Sequence, residues 1–102
     1  MRIAWIGGLD RNEHELSVMA EKAGHALELH TGAVGGRGAG ELRAAIGRAD
    51  VVIIVTDVNS HGAVQLAKKV ARQEGRHVQI LKRCGRAKFR EILGELSARA
   101  AA

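Results

Sequence analysis

Apolar residues along the chain follow two alternating patterns, short continuous runs and longer segments with apolar residues three or four positions apart. Short β-branched runs are typical of strands, and the longer spacing is typical of amphipathic helices. The run 51–55 is apolar without a break, as in strands of a parallel sheet covered on both faces. The pattern predicts strands at 2–6, 26–29, 51–55 and 77–81, and helices at about 11–23, 41–49, 60–74 and 86–98. We expect residues 99–102 to form a frayed tail.

Strict alternation of strand and helix determines the predicted architecture. Parallel strands joined by right-handed helical crossovers place helices on both faces of one sheet. A chain of 102 residues has the length of one domain. We therefore predict a single α/β domain over residues 1–102, Rossmann-like or flavodoxin-like, with a four-stranded parallel sheet in the order 2-1-3-4.

This strand order predicts where a ligand binds. Ligands of open α/β sheets bind beyond the carboxyl ends of the strands, where the strand order reverses. Here the reversal lies between the first and third strands. The residues that follow the first, third and fourth strands are the candidate binding residues: Gly7, Gly8, Leu9, Asp10 and Arg11, then Thr56, Asp57 and Ser60, then Lys82 and Arg83.

The histidines divide between the two ends of the predicted sheet. His14, His30 and His61 fall at the carboxyl end, while His25 and His77 fall at the opposite end. His61 opens a helix, whose positive end disfavours the imidazolium and leaves the neutral ring that a metal requires. Asp57 could orient such a ring. It could equally cap the following turn.

The glycines permit two interpretations. Gly7 and Gly8 could bring backbone N–H groups close to a phosphate, or they could simply form a turn with positive φ. The stretch 35–40 is glycine-rich but lacks the Gly-Lys-Ser/Thr of a phosphate loop, so we interpret it as a flexible loop or lid with Arg37 at its tip. Serine-hydrolase, Cys-x-x-Cys and zinc-protease motifs are all missing, and we expect no enzymatic activity.

Charge and composition limit the classes of ligand and partner that we expect this chain to bind. Residues 1–50 carry six basic and seven acidic residues, whereas 51–102 carry ten and four. The basic half could steer an anionic ligand. Trp5 and Phe89 are the only large aromatic residues, so the chain lacks a stacking surface for bases and we expect no nucleic-acid partner. No apolar run is long enough to cross a membrane. The single cysteine, Cys84, fits a reducing, cytoplasmic location, and its basic neighbours predict a stabilised thiolate.

Three motifs together resemble a bacterial family, DUF2325. They are Gly7-Gly8-Leu9-Asp10-Arg11, His30 at the end of the second strand, and Asp57-x-x-Ser60-His61, and the resemblance extends from Arg2 to about Leu93. It implies a Rossmann-like domain that binds haem b and reversibly binds dioxygen, as a carrier or sensor. The family pattern has small hydroxylated residues after the fourth strand, whereas this chain has Lys82-Arg83-Cys84-Gly85. This departure leaves open a thiolate ligand or a more basic rim.

The haem hypothesis makes demands that the residues can meet. Haem needs an axial ligand, an apolar slot and cations for its propionates. We rank His61 first as the axial ligand, His30 second and His14 third. The walls would come from Trp5, Ile6, Leu9 and Val58, and the cations from Arg11, Arg37, Lys82 or Arg83.

A domain this small cannot easily enclose a porphyrin, so we expect a homodimer with the cofactor at or near its interface. The alternative is a regulatory module that binds a nucleotide or phosphate metabolite at the Gly7-Gly8 turn and the Asp57-Ser60-His61 cluster. A scaffold domain without a cofactor is a third possibility.

Overall fold

The structure is a computed structural model that describes residues 1–8 and 13–101. Strands and helices alternate through these residues, as the pattern predicts. In chain order they are β1 (Arg2–Ile6), α1 (Glu13–Lys22), β2 (Ala26–His30), α2 (Gly38–Arg48), β3 (Val51–Val55), α3 (His61–Gln73), β4 (His77–Leu81) and α4 (Arg86–Ala101).

The four strands form one parallel sheet in the order β2-β1-β3-β4. The predicted strand order is therefore confirmed. Trp5 pairs with Leu29 on one side and with Ile53 on the other, so β1 and β3 lie side by side at the centre. The connection after β1 runs toward β2 and the connection after β3 runs toward β4, on opposite sides of the sheet, and their divergence creates the predicted crevice.

Two apolar layers cover the sheet. One contains alternate residues of β1 and β3 packed against α2 and α3, and the other contains the remaining residues packed against α1 and α4. Every residue of β3 is buried, because the strand has a helical layer on each face. In the second layer the rings of Trp5 and Phe89 meet edge to face, with centroids 5.1 Å apart.

Some boundaries differ from the predicted ones. α2 begins at Gly38 rather than at residue 41, because glycine lets the first turn lie against the carbonyl of Ala33, where a Cβ atom would be 2.0 Å away. The predicted lid at 35–40 is therefore partly the first turn of a helix. The last helix is also longer than predicted, because α4 continues to Ala101 rather than ending at about residue 98, and the final residue of the predicted tail lies outside the described residues.

His25 and His77 lie at the amino end of the sheet, as predicted. His25 is buried, where its Nδ1 contacts the Met1 amino group at 2.9 Å and its Nε2 lies 3.0 Å from the Ser97 hydroxyl. Burial, reinforced by the charged amino group, lowers the pKa of His25. In the described part of the chain, no helix combines the length and apolar character needed to span a membrane.

Candidate functional site

Asn59 connects several backbone segments at the carboxyl edge of the sheet. Its Nδ2 donates to the carbonyl oxygens of Val55, at 2.7 Å, and Ile6, at 3.3 Å. Its Oδ1 accepts from the backbone N–H of Ser60 at 2.8 Å. The side chain therefore joins the ends of β1 and β3 to the beginning of α3.

The contacts of Asn59 and the neighbouring backbone explain why positions 7 and 8 are glycines. Both have positive φ, and a Cβ atom at Gly7 would lie 2.2 Å from Nδ2 of Asn59. The Gly7 N–H donates to the carbonyl of His30 at 2.8 Å, and the Gly8 N–H donates to that of Val58 at 2.9 Å. Both N–H groups are thus used inside the protein. The interpretation as a tight turn fits the structure, and the interpretation as a phosphate cradle does not.

Ser60 is the N-cap of α3. Its hydroxyl accepts from the N–H of Ala63 at 3.0 Å and donates to the carbonyl of Gly32 at 2.7 Å. The hydroxyl therefore holds α3 against the loop after β2. Its hydrogen-bonding capacity is largely occupied by the fold.

His30 is also held by backbone groups. Its Nδ1 accepts from the N–H of Gly32 at 3.0 Å, so Nε2 carries the proton and faces the carbonyl of Gly38, also at 3.0 Å. A ring with both nitrogens engaged would have to break a hydrogen bond before it could bind a metal. The structure thus gives His30 a role in joining β2 to α2.

His61 and His14 are exposed to solvent in the first turns of α3 and α1. These rings lie on opposite faces of the sheet, because α1 and α3 belong to different layers. Among the described residues, no group of three or more His, Cys, Asp and Glu side chains is placed to hold a metal ion. The three histidines at this edge therefore do not form one cluster.

A cleft of about 350 Å³ opens at the edge between the ends of β1, β3 and β4. Asp57 and Arg83 lie on its rim, where Nε of Arg83 donates to Oδ2 of Asp57 at 2.8 Å. Asp57 therefore pairs with Arg83, rather than orienting His61. Lys82 and Thr56 are exposed nearby, and their segments stay paired by backbone bonds beyond the strands.

Val58 is unusual in two respects. Its φ is +49°, a conformation that β-branched residues rarely adopt, and it is 63% exposed. It also lines the cleft. Exposed apolar surface and backbone strain together are typical of residues that contact a ligand.

Other predicted wall residues are placed differently. Trp5 and Ile6 are fully buried, and the indole Nε1 of Trp5 donates to the Gly7 carbonyl at 2.7 Å. They support the edge from within the core and offer no surface to a ligand. Leu9, Asp10 and Arg11 lie outside the described residues.

Cys84 lines the cleft as well, but its predicted stabilised thiolate is wrong. Burial raises the pKa of its thiol to about 11, and the charge of Lys88 offsets this only in part. The neutral thiol is a poor ligand for a metal. Of the two possibilities for the segment after β4, the basic rim is the one that this structure favours.

Asn59 is the site residue that sequence reasoning missed. An Asn just before a helix is most simply interpreted as a cap, so its residue type does not indicate that it joins two strands. A further signal was its distance of only four residues from the end of a buried strand. An amide there can satisfy carbonyls that the sheet no longer pairs.

Comparisons with known proteins identify a family. A family model described as an uncharacterized protein conserved in bacteria, DUF2325, matches residues 2–96. No curated protein and no solved structure matched the chain.

Proposed function

The chain belongs to the DUF2325 family, and on that premise we propose that it is a haem-binding protein without enzymatic activity. The cofactor, haem b, would lie across the carboxyl edge of the sheet, with His61 as the axial ligand. Bound haem iron supplies the capacity to bind dioxygen reversibly, for transport or sensing. A reducing, cytoplasmic location is part of the proposal, because the single cysteine of the sequence has no second cysteine with which to form a disulfide within the chain.

One observation carries this proposal. The exposed apolar side chain of Val58 lines the cleft, and the exposed ring of His61 follows three residues later in the chain, at the start of α3 and outside the set of residues that line the cleft. A planar apolar ligand requires this pairing of an apolar contact with an open imidazole. Lys82, which is exposed after β4, supplies positive charge for carboxylate groups, and Arg83 would have to release Asp57 to do the same.

The alternative phosphate ligand has less support. The N–H groups of Gly7 and Gly8 and the hydroxyl of Ser60 are the donors that a phosphate would need, and each already donates within the fold. Binding phosphate there would break those bonds. Haem binding requires none of these three donors.

A second copy of the chain is part of the proposal. The cleft on one chain is open, and a porphyrin lying there would keep much of its apolar surface in water. A homodimer with the cofactor near its interface would cover that surface.

The first experiment is reconstitution with hemin, followed by visible absorption spectra under reducing conditions with and without air. We expect one haem bound per chain, with a Soret band that shifts reversibly when air is admitted. No band after reconstitution would overturn the haem proposal. Thermal stabilisation by nucleotides in a colourless protein would then favour the phosphate ligand.

His61→Ala identifies the axial ligand. We expect it to lose the reconstituted band, whereas His77→Ala, which removes an exposed histidine at the other end of the sheet, should leave it unchanged. An unchanged spectrum in His61→Ala, with loss of the Soret band in His14→Ala, would assign the role of axial ligand to His14.

Val58→Asn tests the apolar contact. Asn tolerates positive φ, so the variant should keep the fold, and its polar side chain should weaken haem retention.

A further inference from the structure

We propose that the free edge of β4 binds an extended acidic segment of a partner protein, which adds to the sheet as a fifth strand. This surface lies beside α3, along the side of the sheet and away from the crevice between β1 and β3. The inference is therefore independent of the proposed haem site.

β4 is an edge strand, because β3 is its only neighbour among the strands formed by residues 1–8 and 13–101. The carbonyl of Leu81 accepts from the N–H of Thr56 at 2.8 Å, so the backbone groups of Leu81 point toward β3. Backbone groups alternate in direction along a strand, and those of Val78 and Ile80 consequently point away from the sheet. These groups have no backbone partner in the part of the chain that the structure describes, and they form a template for another strand.

The same two residues form the floor of a groove of about 500 Å³. Val78 packs against the core, but Ile80 is 49% exposed, and Val58 and Ile80 are the large apolar side chains exposed in the described chain. Helix α3 covers the centre of the sheet and leaves this outer strip open. An added strand would cover Ile80 and satisfy the outward backbone groups together.

Three cations line the wall of this groove: Lys68, Arg72 and Arg76. Lys68 and Arg72 lie one turn apart on α3, and Arg76 lies in the turn between α3 and β4. Nη2 of Arg76 donates to the carbonyl of Gly47 at 2.8 Å, which holds that guanidinium in place. In the described residues, the ion pairs present do not involve any of the three.

The charge of the groove determines the occupant. A second copy paired through β4 would bring two rows of cations together, which is unfavourable. Single-stranded nucleic acid would meet an isoleucine and a valine rather than the aromatic side chains on which bases stack. An extended segment with acidic side chains at alternate positions matches both the free backbone edge and the cations.

The experiment uses a fluorescein-labelled peptide, (Glu-Val) repeated four times, and measures its anisotropy with the full chain. A control peptide carries the same four glutamates separated by paired prolines, which favour polyproline II and remove many N–H groups. We expect saturable binding of the first peptide, weakened by salt, and little binding of the second.

Two variants test the surface. Arg72→Glu should weaken peptide binding by about tenfold or more, and Arg43→Glu, the same charge change on an exposed residue of α2, should not. Ile80→Pro removes an outward N–H without removing a bond to β3, so it should abolish binding in a folded protein.

Several results would overturn the proposal. One is equal binding of both peptides, which would indicate a purely electrostatic contact. Others are failure of the acidic peptide to bind, tighter binding of a single-stranded oligonucleotide, or a dimer in sedimentation that Ile80→Pro converts to a monomer.

Discussion

Asn59 and Gly7 depend on each other at the scale of single residues. The amide of Asn59 occupies the space where a Gly7 side chain would be, and it bonds to carbonyls of two strands. A glycine is therefore required at position 7 for space as well as for its backbone angle. Both demands follow from the close approach of β1 and β3.

The variants Gly7→Ala and Gly24→Ala distinguish the need for space at position 7 from the need for a positive φ angle. Their φ angles are nearly equal, +84° and +82°, but a Cβ atom at Gly24 meets nothing within 4 Å. We expect Gly24→Ala to lower the free energy of unfolding by about 1–2 kcal/mol through backbone strain alone. Gly7→Ala should cost about 1–3 kcal/mol more through overpacking. Urea denaturation of both variants measures the difference, and equal losses would contradict the steric role of Asn59.

Cys84 shows how burial overrides neighbouring charge. The adjacent basic residues would favour a thiolate, but the half-buried sulfur loses more by desolvation. We expect slow alkylation by iodoacetamide at pH 7.5 in the folded protein, with a rate that rises as the pH approaches about 11. The urea-unfolded chain is the control and should react faster. A fast reaction in the folded state would contradict a raised pKa.

Among the elements, the connection from β3 to α3 organises the carboxyl edge. Within five residues, 56–60, it bonds to the loops after β1, β2 and β4. A short connection with this many partners holds the edge in one arrangement. It also explains why the strained Val58 persists, since bonds on both sides determine its conformation.

Ser60→Ala tests this connection. The variant loses the N-cap of α3 and the bond to Gly32, and we expect the free energy of unfolding to fall by about 1–2 kcal/mol. Ser17→Ala, within α1, is the matched control and should change stability by no more than about 0.5 kcal/mol. Thermal or urea unfolding measures both. A neutral Ser60→Ala would mean that neither bond contributes to stability.

At the scale of the whole molecule, stability comes from a thin sheet buried between two layers of helices. Ile53 and Ile54 are neighbours in β3 but belong to opposite layers, and both are fully buried. Each layer must therefore be intact for the domain to fold. Ile80 lies on the same sheet but at its open edge.

Substitution of these three residues compares the layers with the edge. Ile53→Ala and Ile54→Ala should each lower the free energy of unfolding by about 2–5 kcal/mol, a large part of the total for a domain of this size. Ile80→Ala, which removes the same atoms from a half-exposed site, should cost about 1 kcal/mol or less. Chemical denaturation measures all three. A similar loss at Ile80 would mean that the β4 edge is covered in solution.

The sequence by itself determined the architecture. Continuous apolar residues in 51–55 and spaced apolar residues in the helices indicate which residues are buried, and therefore predict a central third strand covered by a helical layer on each face. The strand order was predicted from the order of flavodoxin-like sheets. The same pattern placed His25 and His77 at one end of the sheet and the remaining histidines at the other. These predictions depend on local periodicity, which each segment carries within itself.

Only the tertiary structure decided how the polar groups at the edge are used. Gly7, Gly8, Ser60 and His30 are suited by residue type to bind a ligand, but their hydrogen bonds are made to backbone groups from other segments. The pairing of Asp57 with Arg83 and the role of Asn59 likewise join residues distant in the chain. Periodicity cannot encode such partners, because they depend on distances that exist only after the strands have come together.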